Sequence, residues 1–135
     1  MALSYNTKDT IVALASSAGA GAIAVIRLSG ERTFEISKKI FSLNNNSKKN
    51  ISDFQSHTVH LGNIYDDEKI IDEVLLTVSR SPNSYTAEDV VEISCHGSRF
   101  IQQKIIQLTT FKAGINKSVH PHTLSHSMAT HLLDD

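Results

Sequence analysis

Two short runs constrain this chain more than anything else in it: residues 22–28, AIAVIRL, and residues 90–96, VVEISCH. Each is rich in β-branched residues and reads as a strand. Each also carries one charged side chain inside apolar surroundings, Arg27 in the first and Glu92 in the second. In the second run Val91, Ile93 and Cys95 share one face, while Val90, Glu92, Ser94 and His96 share the other. A glutamate in a run that reads as a central strand is expensive to bury unless paired or hydrogen-bonded. Glu92 is therefore a structural partner for Arg27, an anchor for a ligand, or both. A fixed carboxylate suits a 2-amino-4-oxo pterin ring, because it accepts from the ring N–H and the exocyclic amine together. The bland alternative for Arg27 is an edge arginine reaching into solvent.

The remaining elements follow from pattern. Residues 10–15 (TIVALA) read as a first strand, joined to the second by the small-residue turn at residues 16–21. A helix is expected over residues 31–41, with Phe34, Ile36, Ile40 and Phe41 along one stripe and Ser29 as its cap. Residues 43–50 (LNNNSKKN) read as a polar loop. A hairpin follows: Val59, Leu61 and Tyr65 lie on one side of a strand, residues 66–69 turn, and Val74, Leu76 and Val78 alternate on the return. A loop over residues 81–88 leads into the Glu92 strand. Gly97 and Ser98 then open a second helix with Ile101, Ile105 and Leu108 at helical spacing. The order β-β-α-β-β-β-α predicts an α+β domain, a mixed β-sheet with helices packed on one side. From about Ala113 the chain becomes histidine-rich, and a short helix is expected over residues 123–133.

Composition narrows the function classes. The 135 residues suffice for one domain, and 13 basic against 14 acidic residues leave a net charge of −1. That balance offers no electrostatic footprint for autonomous DNA or RNA binding. Cys95 is the single cysteine, which excludes an internal disulfide and suits a reducing compartment. With no long apolar run and no signal peptide, the chain is expected to be cytoplasmic and free of the membrane.

Several motifs dissolve on inspection. Gly19 and Gly21 suggest a phosphate loop, but no lysine follows in the GxxxxGK[ST] sense, so no GTP site is expected in this chain. The dinucleotide form fails too, since Ala24 occupies its third glycine position. Both glycines read as a tight connection between strands. His96 ends its strand just before a helix start, and as a general base it needs an oriented partner that the sequence does not identify. His120, His122, His126 and His131 crowd the tail, and His122/His126 have helical i, i+4 spacing. Without a glutamate between them and with Cys95 far away, no metal site is assigned. No catalytic residue is assigned either.

Read in order, DTIVALASSAGAGAIAVIRLSG and SPNSYTAEDVVEISCHGS resemble the two signature blocks of the N-terminal domain of the MnmE/TrmE tRNA-modification GTPases. The intervening IDEVLLTVSRSP agrees with that family. The sequence departs from it where Ala87 and Ser98 stand at usual glycines, and where Ser16-Ser17-Ala18 replaces a Thr-Pro turn. The resemblance implies a fold like the folate-binding part of glycine-cleavage T-proteins, truncated here, spanning residues 1–112. It implies a homodimer that holds 5-formyl-tetrahydrofolate or a related tetrahydrofolate, with Arg27 and Glu92 as cofactor-binding residues. In the full-length family context it also implies an MnmG-type partner, modification of the wobble uridine of tRNA, and a separate G domain that hydrolyses GTP.

Residues 113–135 resemble instead a tyrosine recombinase (Xer/phage integrase) segment around the HxxR box, with His122 as its histidine and Ser125 in place of its arginine. Residues 113–135 are accordingly expected to be a separate tail, helical or partly disordered. Two other readings stand beside the folate-binding one. The chain is a non-functional gene-fusion remnant, or an inactive DNA recombinase fragment.

Overall fold

In the computed structural model, the described residues are 10–44, 49–114 and 130–131. Seven strands form one sheet: β1 (Ile11–Leu14), β2 (Ile23–Ser29), β3 (Phe41–Leu43), β4 (Thr58–Asp66), β5 (Lys69–Ser79), β6 (Val90–His96) and β7 (Thr130–His131). Their order across the sheet is β3-β4-β5-β6-β2-β1-β7. After β2 the chain crosses through helix α1 (Thr33–Lys38) to the far edge, returns strand by strand to β6 beside β2, and crosses again through α2 (Arg99–Lys112). The α+β expectation holds. The sheet is antiparallel at every neighbouring pair instead of mixed. The short β1–β2 and β4–β5 links lack the length that a parallel crossover needs.

One face of the sheet is the core. Register places Ala24 opposite Cys95, Ile26 opposite Ile93 and Leu28 opposite Val91. On β5, Leu76 and Val78 continue the same rows, and on β1 Val12 and Leu14 do so. These side chains pack beneath Ile36 of α1 and Ile105, Ile106 and Leu108 of α2 in one cluster. Burial on this scale is the main favourable term in the fold. The opposite face carries Val25, Arg27, Glu92, Ser94, Leu75 and Leu61, and neither helix lies over it.

Several sequence expectations shift. The first helix is shorter than residues 31–41, because Phe41 and Leu43 enter β3 and pair with β4. Its N-cap is Arg32, with no side-chain cap; Ser29 belongs to β2, and its hydroxyl lies 2.7 Å from that of Thr86. Val59 and Leu61 sit on the open face, 58% and 50% exposed, while His60, Gly62 and Ile64 take the core side. Gly62 permits this, since the Phe41 ring packs where its Cβ would stand. The end of β5 is tied down by Arg80, whose guanidinium donates to the carbonyls of Ile51 and Phe54 and lies over the Phe34 ring.

The tail also differs. Within the stretch expected to be helical, Thr130 and His131 are extended and pair with Val12 and Ile11. The edge of β1 presents unpaired backbone groups, and an added strand satisfies them where a helix does not. His120, His122, Ser125 and His126 lie outside the described residues, so the recombinase-like box and the histidine pair have no structural account.

The two departures from family glycines separate cleanly. Ser98 has an ordinary φ of −72° and caps α2, its hydroxyl accepting from the Ile101 N–H at 3.1 Å. Ala87 has φ +62°, the left-handed region that an alanine adopts only at a cost. Ala87→Gly is expected to raise unfolding stability by about 1 kcal/mol in urea titration, with the backbone unchanged. Gly62→Ala is expected to do the opposite. A Cβ at that position would meet Phe41 and the Ser42 carbonyl, and the loss should be about 1–3 kcal/mol in the same assay.

Candidate functional site

The open face acquires its one charged pair from strand register. Arg27 and Glu92 are direct partners across the central β2–β6 ladder, and alternation turns both away from the helices. Arg27 Nε donates to Glu92 Oε2 at 2.8 Å, and its Nη2 donates to the same oxygen. The side chains remain 31% and 27% exposed. Glu92 is thus neither a buried core carboxylate nor a solvated rim charge, and Arg27 is no edge arginine, since β2 has neighbours on both sides. Both Arg27 contacts fall on one carboxylate oxygen. Among the described residues, Glu92 Oε1 accepts no hydrogen bond. It remains available to a donor arriving from solvent.

Tyr85 borders the pair on one side. Its ring lies 5.2 Å from the Arg27 guanidinium carbon and is almost fully exposed. The loop that carries it, residues 81–89, is pinned to β2. The Gly30 N–H donates to the Asp89 carbonyl at 3.0 Å, and the Ser81 N–H donates to the Asp89 carboxylate at 2.9 Å. Sequence reasoning passed over Tyr85, because an aromatic in a turn-rich loop carries no periodic signal. On the other side of the pair the face is apolar, with Val25, Leu75 and Leu61 in one cross-strand row. A flat ring with amide-like N–H groups can lie on this face, donate to Glu92 and stack beside Tyr85 or Arg27.

His96 has the oriented partner that the sequence did not reveal. Its Nδ1 lies 2.7 Å from Asp72 Oδ1, and its backbone N–H donates to Asp72 Oδ2 at 2.8 Å. Asp72 stands on β5 where the ladder to β6 has ended, so its carboxylate takes the place of a strand carbonyl. Nothing in the spacing of residues 72 and 96 announces that contact.

Cys95, on the core face, is inert: burial pushes its thiol up to about 11. The turn between β1 and β2 is bound to the β6 end, with the Gly21 N–H donating to the Gly97 carbonyl and the Gly97 N–H to the Ala22 carbonyl. A side chain at Gly97 would collide with the Gly21 backbone. The glycines therefore serve strand connection, as the sequence suggests. A cavity of about 660 Å³ lies elsewhere, at the β3–β4 edge, between Leu43, Phe54, Thr58, His60 and Leu61. There His60 stacks on Phe54 at 3.6 Å, and burial, with Lys49 nearby, pushes its imidazole below the usual range. No group of three or more histidine, cysteine or acidic residues among those described is arranged to hold a metal ion. No described helix is long and apolar enough to cross a membrane.

Comparison with known proteins locates this arrangement. Residues 10–120 match the family described as the GTP-binding protein TrmE N-terminus. The match runs past residue 112 to residue 120, and nothing in it supports a recombinase-like tail. The tRNA modification GTPase MnmE of Christiangramia forsetii is 55% identical over 105 residues, 78% of this chain and 22% of that protein. That of Cytophaga hutchinsonii is 55% identical over 103 residues, 76% of the chain and 21% of the relative. The Clostridioides difficile protein of the same description is 45% identical over 104 residues, 77% and 22% respectively. The chain spans about a fifth of the length of these relatives.

The pair's worth to the fold can be measured apart from any ligand. Partly exposed ion pairs contribute at most about 1 kcal/mol. Glu92→Ala is therefore expected to leave the unfolding free energy from urea titration within that margin of the parent. A loss of several kcal/mol would instead make the pair a structural bridge.

Proposed function

The chain belongs to the family of TrmE N-termini, and on that premise we propose that it is the folate-holding module of a tRNA-modifying system. The open sheet face binds 5-formyl-tetrahydrofolate or a related tetrahydrofolate as a one-carbon donor for modification of the wobble uridine. Arg27 and Glu92 are its cofactor-binding residues. The observation that carries this reading is the unspent oxygen of Glu92 beside an arginine already committed to the other. The pterin's ring N–H and exocyclic amine would donate to Glu92, and Tyr85 would flank the ring. Arg27 holds the carboxylate in place, so the site is organised before the ligand arrives.

The apolar residues of the same face support the remaining partners. On β4, Val59 and Leu61 are 58% and 50% exposed, which suits burial against a second copy of the chain. We assign the module to a cytoplasmic homodimer that works with an MnmG-type partner on tRNA. GTP hydrolysis, named for the relatives, belongs in this reading to the portion of those proteins that this chain does not span. The module by itself binds and presents a cofactor and performs no catalysis.

Titration of the purified chain with 5-formyl-tetrahydrofolate by calorimetry tests the reading. Saturable heat that disappears in Glu92→Ala, while the variant keeps its melting transition, is the expected result. A folded parent that gives no heat would make this chain a remnant of its family, without the pocket's function.

A further inference from the structure

The His96–Asp72 pair lies outside the Arg27–Glu92 contact. His96 is 74% exposed in its side chain, whereas Asp72 is only 9% exposed. A mostly buried carboxylate thus fixes a solvated imidazole through two contacts, one to the ring and one to the backbone. Ordering an exposed side chain costs rotamer entropy. With Nδ1 turned to Asp72, Nε2 is the nitrogen left for a partner, and among the described residues it has none.

Position gives that free nitrogen a use. Alternation puts Glu92, Ser94 and His96 on the same face of β6, four residues from first to last, a separation of about 13 Å. Between them lies the apolar row of Val25 and Leu75 flanking Ser94, and the direct partner of His96 on β2 is Ile23, 67% exposed. The face therefore reads, from one end to the other, as a carboxylate with a free acceptor, an apolar floor, and an imidazole held by a mostly buried acid, with the exposed Glu73 on the same face of β5. A folate has the matching sequence of chemistry: a pterin that donates, an aromatic amide arm, and a glutamate that carries carboxylates.

We propose that His96, positioned by Asp72, receives a carboxylate of the folate's glutamate tail, with the benzoyl arm lying over Val25, Leu75 and Ile23. Protonated, the imidazole donates Nε2–H to that carboxylate in a charge-assisted hydrogen bond. Asp72 acts through His96 as a positioning residue and does not touch the ligand. The assignment rests on the folate reading given above and deepens it, because it makes the site select a tailed folate over a bare pterin.

The test compares two ligands on the full chain: 5-formyl-tetrahydrofolate and a 5-formyl-tetrahydropterin that lacks the aminobenzoyl-glutamate tail. His96→Ala is expected to weaken the tailed ligand about tenfold, the worth of one hydrogen bond to a charged group, and to leave the tailless one unchanged. Asp72→Asn, which keeps the imidazole but loosens it, is expected to produce a smaller loss on the tailed ligand only. Equal weakening of both ligands by His96→Ala, or of neither, overturns the proposal. Binding that depends on Glu92 but is indifferent to His96 removes the tail assignment alone. A parent chain that binds neither ligand takes away the folate reading and this inference together.

Discussion

Everything in this molecule hangs on the register between β2 and β6. Strand alternation means that a slip of one residue would turn every side chain of a strand to the opposite face. In the observed register, Ala24, Ile26 and Leu28 meet Cys95, Ile93 and Val91 beneath the helices. The same register sets Arg27 against Glu92 on the open side. Core and site are two readings of one alignment. The apolar rows supply the energy that fixes it, and the ion pair, worth little by itself, is carried into place by them.

How much of this was legible differs from element to element. The strands at β1, β2, β5 and β6 were plain, because β-branched residues alternate there and the core side is the apolar side. β4 was legible as a strand but not in its orientation. Val59 and Leu61 form as good an apolar stripe as any, yet they face outward, because Gly62 leaves room for Phe41 on the other side. Periodicity says which residues share a face but not which face is covered. The end of α1 and the start of β3 were likewise invisible, since Phe41 satisfies a helical stripe and a strand edge equally well.

The candidate site was half legible. A charged residue inside each of two apolar strands was the signal for Arg27 and Glu92, and the family blocks sharpened it. What the sequence could not supply was the geometry that makes the pair more than a bridge: both contacts on one oxygen, with Tyr85 alongside. Asp72 is the clearest case of information absent from the chain's local pattern. It sits in a strand of mostly apolar residues beside a bulge, and its partner is 24 residues away. Thr130 and His131 fall in a stretch expected to be helical, because two residues of strand are too short for any pattern to announce, while the edge that recruits them lies at the other end of the described chain.

Arg27 and Glu92 are separated by 65 residues of sequence. The β4–β5 hairpin lies entirely within that interval and closes through a short turn. It has the smallest loop entropy to overcome, and it is assembled from neighbours. The β2–β6 ladder has instead to bring together segments from distant parts of the chain, the kind of non-local pairing that slows folding. A partly folded chain can therefore possess the hairpin and still have no site at all. A ligand that needs both residues recognises only the closed chain, so its binding free energy would be added to the stability of the whole molecule and not to any one part.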